Sequence, residues 1–293
     1  MILFKASSLA VYVGISYLMF RISLLTYELQ TEQISMPSLI NYFGFAFFLP
    51  TFTIGPISPY SDYAASIATP LRFNPKLILV ALDRIIVGLV KLFFISKIAH
   101  SFIAYGLLNL DWLQSWGSIL IVAIASYIYI YSNFSGFCDV MIGFSALLDI
   151  KIQENFDHTV IARNLQDFWS KMHMTLSTYI RYIIYQPLCF HLMRNFGPGA
   201  VVNGAPFVMA ATLVGIALWH GVTLNFLLFG LMHAVGMIVL HYYGFFINKI
   251  VSKPWKRILT GNPYATTVST IVTFIYVSFS CLLFFFDVNI FIL

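Results

Sequence analysis

The sequence predicts an all-α, polytopic transmembrane helix bundle of about seven to nine membrane segments. The first observation is composition. Of 293 residues, 60% are hydrophobic and 9% charged, where a soluble domain carries roughly a quarter charged. The second is supply of polar surface: 16 Lys and Arg with 11 Asp and Glu cannot clothe a compact water-soluble body of this size. The third is the recurrence of apolar runs near the length of about 20 residues that crosses the hydrocarbon layer. A soluble enzyme, a disordered chain and a secreted disulfide scaffold are all excluded. Cys138, Cys189 and Cys281 are odd in number and far apart, which suits neither a disulfide framework nor a zinc knuckle. The formal charge of +5 reads as a topology signal toward a cytoplasmic leaflet and not as a nucleic-acid footprint.

In chain order the expected spans are Ile2–Phe20, Leu39–Ser58, Lys76–Leu107 (overlong and interrupted), Ser115–Asn133, Phe134–Ile150, Ala205–His220, Thr223–Ile247 and Ala265–Phe286. Backbone in lipid must satisfy its own hydrogen bonds, so each is read as helix, including the alternating Tyr127–Tyr131 stretch. Ile2–Phe20 lacks a charged start followed by a small-residue cleavage site, so it is not read as a signal peptide. No repeat and no soluble domain interrupts the pattern, and 1–293 is read as one transmembrane domain.

Charge sets the expected orientation. Lys151, Arg163, Lys171 and Arg181 share one connecting region, Lys249, Lys253, Lys256 and Arg257 another, and Arg72 with Lys76 a third. Asp111 has no basic neighbour, and Glu28 and Glu32 are acidic after Arg21. The positive-inside rule then puts Lys151–Arg181 and Lys249–Arg257 in the cytoplasm and Asp111 outside. An odd number of crossings must separate Asp111 from Lys151. Ser115–Ile150 is therefore one broken passage, or one crossing plus a surface helix, with Gly136 beside Ser135 as the expected break.

Residues 163–194 are too polar to cross lipid and too apolar for a solvated loop. On a helix, Trp169, His173, Ser177 and Arg181 stack on one face, with Lys171, Thr175, Thr178 and Tyr182 on another. The segment is expected to burrow into the bundle as a re-entrant helix from the cytoplasmic side, where polar groups survive only against protein or a water-filled cavity.

An ionisable residue at membrane depth costs on the order of 3 kcal/mol or more and is a functional candidate by default. His220, ending one apolar run before Gly221, is the sharpest, with Trp219 as a wall. An imidazole in a low-dielectric interior stays neutral, the form a general base needs. His173 lies in the burrowing segment. His233 reads first as a hydrogen-bonding bridge between helices, and it and Asn225 are further candidates in the same stretch. His100, His158, His191 and His241 are read as bystanders. Asp83–Arg84 reads as an internal ion pair, or as part of an interfacial helix with Lys91 and Lys97 snorkelling, before it reads as a relay. Asp139 and Asp149 read as pairing or helix-end residues. No HExxH, clustered Cys/His set, phosphate loop, dinucleotide fingerprint or nucleophile elbow is present, so neither a catalytic metal nor a bound cofactor is expected.

Several blocks, in order, carry a resemblance: GISYLMFRISLLTYEL (14–29), FFLPTFTIGPI (47–57), GLVKLFFISKIA (88–99), NFSGFCDVMIGFSALLDIKIQENFD (133–157), QDFWSKMHMTLSTYIRYIIYQPL (166–188), ALWHG (217–221) and FGLMH (229–233). Over about 11–245 the chain resembles the membrane-bound O-acyltransferase (MBOAT) family. The likeness is to its bacterial branch acting on alginate and other polysaccharides, and to the related D-alanyl transfer proteins of teichoic acids. It departs from that pattern in Arg181-Tyr182, where the family has Arg-Asp, and in Lys171-Met172, where it has Arg-Trp. Family members are usually longer, so the resemblance implies a chain short at its N-terminus.

The resemblance implies a mechanism. A cytoplasmic acyl thioester, acetyl-CoA, serves as co-substrate. His220 is the general base toward a hydroxyl, and His173 orients or polarises a reactant. Trp169, Ser177 and Trp219 line the passage, and Lys171, Arg163 and Arg181 attract the CoA phosphates. The implied partners are the lipid bilayer, a polysaccharide or cell-envelope acceptor and an extracytoplasmic acyltransferase, with no nucleic acid, in a bacterial cytoplasmic membrane. The competing expectations are a non-catalytic membrane subunit and a transporter.

Overall fold

The computed structural model describes residues 7–52, 54–70, 74–252 and 262–286, with side chains from residue 15 onward. Arg72, Lys253, Lys256, Arg257 and the start of the expected Ile2–Phe20 span lie outside the described residues. Among those residues the regular elements are all helices. Four are long and apolar enough to cross a membrane: Trp116–Leu147, Pro198–His220, Leu224–Lys249 and Pro263–Phe284. The chain is a membrane protein. It divides into two compact units, one of Met1–Ile98, Ile128–Phe156 and His173–Tyr179, the other of Ala99–Tyr127, Asp157–Met172 and Ile180–Leu293.

The first unit opens with α1 (Ser7–Gln30), followed by α2 (Leu39–Ala46), α3 (Leu49–Phe52) and α4 (Tyr60–Ile67). The single span expected over Leu39–Ser58 is therefore two short helices, and the chain turns at Gly55-Pro56. A Cβ on Gly55 would lie 1.9 Å from the Pro50 carbonyl oxygen, so only glycine lets the chain double back there.

Charges on α1 close the ends of its neighbours. Arg21 is buried, donates to the carbonyls of Phe45 and Ala46 at the C-terminus of α2, and lies over the Phe45 ring. Those are the last carbonyls of the helix, at the negative end of its dipole, and the Phe45 oxygen also accepts from the Phe48 amide at 3.3 Å. Glu28, also buried, does the converse at α4. Its carboxylate accepts from the Tyr60 amide at 2.8 Å, the Ser61 amide at 3.3 Å and the Ser61 hydroxyl at 2.5 Å. Pro59 provides no side-chain cap, so Glu28 supplies the missing acceptor from another helix. Glu28→Ala is expected to cost about 1–2 kcal/mol. Thermal melting in detergent measures this, and Glu28→Gln should fall between the two because it keeps an acceptor without the charge.

α5 (Pro75–Val90) continues through a π-helical turn (Lys91–Ile95) into α6 (Ser96–Leu108), which is the interruption expected within Lys76–Leu107. The first unit also holds residues 128–147 of α7 (Trp116–Leu147). α7 is one continuous helix of 32 residues, so the break expected at Gly136 is absent. That glycine serves close packing. A Cβ there would meet the Gly88 carbonyl oxygen at 2.7 Å and Lys91 Cβ at 2.8 Å, and one on Gly143 would meet the Ala81 carbonyl oxygen at 2.7 Å. Small residues let two helix backbones touch, the main source of packing energy between helices in lipid.

Charged pairs flank this crossing. Asp139 accepts from Arg84 at 3.1 Å and from Lys91 at 2.6 Å, and Arg84 also binds Glu154. Arg84 thus pairs across helices, not with the exposed Asp83 beside it. α7 ends at Leu147, and Asp149, two residues on, has a φ of 56°, the left-handed stop that Asp tolerates.

In the second unit α8 (Leu165–Lys171) packs on α12 (Leu224–Lys249), and α10 (Gln186–Phe196) lies against α11 (Pro198–His220). α11 and α12 form a tight hairpin. A Cβ on Gly230 would meet Ala217 Cβ at 2.8 Å, again a small-residue contact. Thr223 caps α12 through its side chain. α13 (Pro263–Cys281) runs into a 3₁₀ turn (Leu282–Phe284), and Tyr276 donates to the Met232 carbonyl at 2.6 Å.

Candidate functional site

Residues 165–196 do not form one helix, so the stacked face expected of Trp169, His173, Ser177 and Arg181 is not there. α8 ends at Lys171, α9 (Met174–Ile180) begins anew, and a π turn (Arg181–Tyr185) leads into α10. The break falls on His173, whose φ is 51°. A non-glycine residue in this region is strained, and strain persists only where neighbours over-determine the conformation.

Here the neighbour is Asn155, which is fully buried. Its backbone carbonyl accepts from the Met174 amide at 2.9 Å. Its side-chain oxygen accepts from the Thr175 amide at 3.2 Å and the Thr175 hydroxyl at 2.9 Å, and lies 3.1 Å from His173 Nδ1. Thr175 in turn accepts from the Ile57 amide at 3.0 Å. On the other side of the imidazole, Tyr17 places its hydroxyl 3.1 Å from Nε2, while the edge of Phe134 meets the ring at 4.7 Å between centroids. His173 is itself buried. The Ser177 amide donates to the His173 carbonyl at 3.0 Å, which starts α9 directly after the break.

The second unit carries the other imidazole. His220 is the last residue of α11, half-buried, and surrounded by rings: Trp219 at 4.8 Å, Phe226 at 5.9 Å and Phe284 at 5.9 Å between centroids. Among the described residues no hydrogen bond reaches its imidazole. α11 stops before Gly221, and the side chains packed against the ring are aromatic. Asn225, the second residue of α12, donates to the Leu283 carbonyl at 3.0 Å and the Phe286 carbonyl at 2.5 Å. It thereby holds the 3₁₀ turn that carries Phe284.

His233 lies further along α12, 1% exposed, with Nε2 3.0 Å from Ser280 Oγ on α13. This is the helix-to-helix bridge expected of it. Trp169 stands edge-on to the same ring at 5.2 Å, with Phe229 at 4.6 Å. The structure thus joins Trp169 to His233 and Trp219 to His220 within one unit, while His173 and Ser177 belong to the other.

The three basic residues differ. Lys171 is paired with Asp167 at 3.2 Å, one turn earlier on α8, whereas Arg163 and Arg181 are exposed. Asp167 also caps that helix by accepting from the Arg163 amide at 2.8 Å.

Sequence reasoning passed over Asn155 and Tyr17, and placed Thr175 only on a helix face away from His173. All three sit inside the quoted blocks, but nothing in one dimension shows that 14–29 and 133–157 send groups to the His173 imidazole, or that 47–57 reaches its neighbour Thr175.

A protein-family model described as MBOAT, membrane-bound O-acyltransferase family, matches residues 3–286. Among curated relatives, the chain is 27% identical over 293 residues to a teichoic acid D-alanyltransferase of Streptococcus thermophilus, covering 94% of this chain and 69% of the relative. It is 27% identical over 281 residues to a teichoic acid D-alanyltransferase of Bacillus subtilis, covering 93% and 68%. It is 29% identical over 219 residues to a peptidoglycan O-acetyltransferase of Helicobacter pylori, covering 73% of this chain and 39% of the relative.

Proposed function

Because the chain belongs to the membrane-bound O-acyltransferase family, we propose that it moves a short acyl group, acetyl in the first instance, from a cytoplasmic thioester to a hydroxyl on the far side of the membrane. That it is a membrane-embedded O-acyltransferase follows from the family itself. The finer reading is ours. The acceptor is a cell-envelope polysaccharide or teichoic acid, or a serine of an extracytoplasmic partner enzyme. The membrane is a bacterial cytoplasmic membrane, and residues 1–293 work as one transmembrane domain of about seven to nine segments; among the described residues four helices meet the length and hydropathy of a span.

The observation that carries the reading is His220: an imidazole at a helix end, ringed by Trp219, Phe226 and Phe284. In the reaction its neutral nitrogen takes the hydroxyl proton as the oxygen bonds to the acyl carbon. The carbon–sulfur bond breaks, and the imidazolium returns the proton to the departing thiolate. His173 orients a reactant. Trp169, Ser177 and Trp219 line the acyl path. Arg163 and Arg181 attract the donor phosphates, with a smaller part for the paired Lys171.

The test uses the purified full chain in nanodiscs with acetyl-CoA labelled in the acetyl group and a teichoic-acid or polysaccharide acceptor. Label should pass into an alkali-labile ester with one free thiol released per ester. A protein that binds donor and acceptor but releases no thiol would overturn the reading in favour of a non-catalytic subunit. Flux across proteoliposomes without thiol release would favour a transporter.

A further inference from the structure

We infer that Asn155 is a positioning residue that locks His173 as its Nδ1–H tautomer, so that Nε2 can only accept, and that the group His173 meets in the substrate is a hydroxyl of the acceptor and not the thioester carbonyl. The Thr175 amide lies 3.2 Å from the Asn155 side chain, so the atom facing it is the carbonyl oxygen. The Thr175 hydroxyl accepts from the Ile57 amide and therefore turns its own hydrogen onto the same oxygen, 2.9 Å away. The amide nitrogen of Asn155 faces Cys138 Sγ at 3.4 Å. A flipped side chain would set its NH₂ against the Thr175 N–H, so the orientation is fixed.

An oxygen that offers only lone pairs requires a hydrogen from His173 Nδ1, 3.1 Å away. A neutral imidazole has one N–H, and this contact uses it. Nε2 is thus the lone-pair nitrogen, and the Tyr17 hydroxyl at 3.1 Å is its donor. A thioester carbonyl has no hydrogen to give to such a nitrogen. An alcohol does, and it can take the place of the Tyr17 hydroxyl. The hydroxyl so held is one other than the acylated hydroxyl, whose proton goes to the base. The left-handed backbone of His173, held by the same Asn155, keeps the ring in this orientation.

This second half rests on the reading that His173 belongs to the acyl-transfer site, and the experiment separates the two. Histidine labelled with ¹⁵N in the nanodisc-held protein, with His173→Gln to assign the signal, should show a protonated Nδ1 and a bare Nε2 for His173. A protonated Nε2 overturns the lock whether or not the protein is active. Asn155→Asp, which keeps the acceptor oxygens, should preserve the protonated Nδ1, and loss of it in that variant also counts against the lock. Tyr17→Phe removes the competing donor. It should lower the KM for the acceptor about threefold to tenfold, the worth of one hydrogen bond, and leave the KM for acetyl-CoA unchanged. A change confined to the acetyl-CoA KM would overturn the substrate assignment. A protonated Nδ1 in a protein that transfers no acyl group would instead refute the acyl-transfer reading and leave the lock standing.

Discussion

Replacing His220 with alanine is expected to lower acyl transfer by about two to four orders of magnitude, the usual contribution of a positioned general base, while the helices remain folded. The asymmetry follows from its surroundings. His220 is the last residue of its helix, it is only half-buried, and among the described residues it makes no hydrogen bond that the fold would miss. Its removal takes away contacts with Trp219, Phe226 and Phe284, a loss of packing on the order of 1–2 kcal/mol. Thiol release from acetyl-CoA at saturating donor and acceptor measures the first quantity, and thermal melting in detergent the second. His220→Gln retains bulk and a hydrogen-bonding end without a basic nitrogen, and it should be as inactive as alanine. Turnover at the wild-type rate in either variant would remove His220 from the chemistry.

Gly136→Ala is expected to destabilise the first unit by about 3 kcal/mol, at the upper end of what overpacking costs. The sign is the informative part. Were Gly136 a helix-weakening residue at a break, alanine would stabilise by about 1 kcal/mol through helix propensity. In the structure it faces the Gly88 carbonyl oxygen, Lys91 Cβ and the Leu92 amide nitrogen, at 2.7, 2.8 and 3.0 Å from an added Cβ. Two of those three are backbone atoms and cannot rotate away. Relief requires the two helices to separate, which lengthens the contacts of Asp139 with Arg84 and Lys91. Denaturant titration of the purified protein, followed by the fraction that stays monodisperse, reads the result. A more stable Gly136→Ala protein would mean that the two helices are not in contact there.

These two positions show where the sequence is transparent and where it is not. The spans expected over Ala205–His220, Thr223–Ile247 and Ala265–Phe286 coincide with helices because lipid imposes composition residue by residue, and composition is visible in one dimension. Gly136 was legible as special, but not the reason: a glycine that weakens a helix and one that admits a neighbour look alike until the facing residue is known. Arg21 and Glu28 are similar. In sequence they flank a span as charged ends, but in the fold they close the termini of α2 and α4. His173 was found by its residue type and context, yet the helical face assigned to it does not exist, because its backbone conformation is set by Asn155, eighteen residues earlier. Local pattern cannot report a conformation imposed from that far along the chain. His220 is a candidate from sequence without reference to any partner, since an ionisable side chain at membrane depth is costly.

The two π turns, Lys91–Ile95 and Arg181–Tyr185, have a bearing on how chains of this family can vary in length. A π turn holds one residue more than the α repeat accommodates. Deleting one residue there would restore regular α-helix without opening a loop and would leave the later side chains of that helix on the faces they already occupy, whereas a deletion elsewhere in the helix would swing them by about 100° about its axis. Among the described residues these are therefore the two places inside helices where the loss of a single codon can be absorbed by the backbone without changing which residues face lipid.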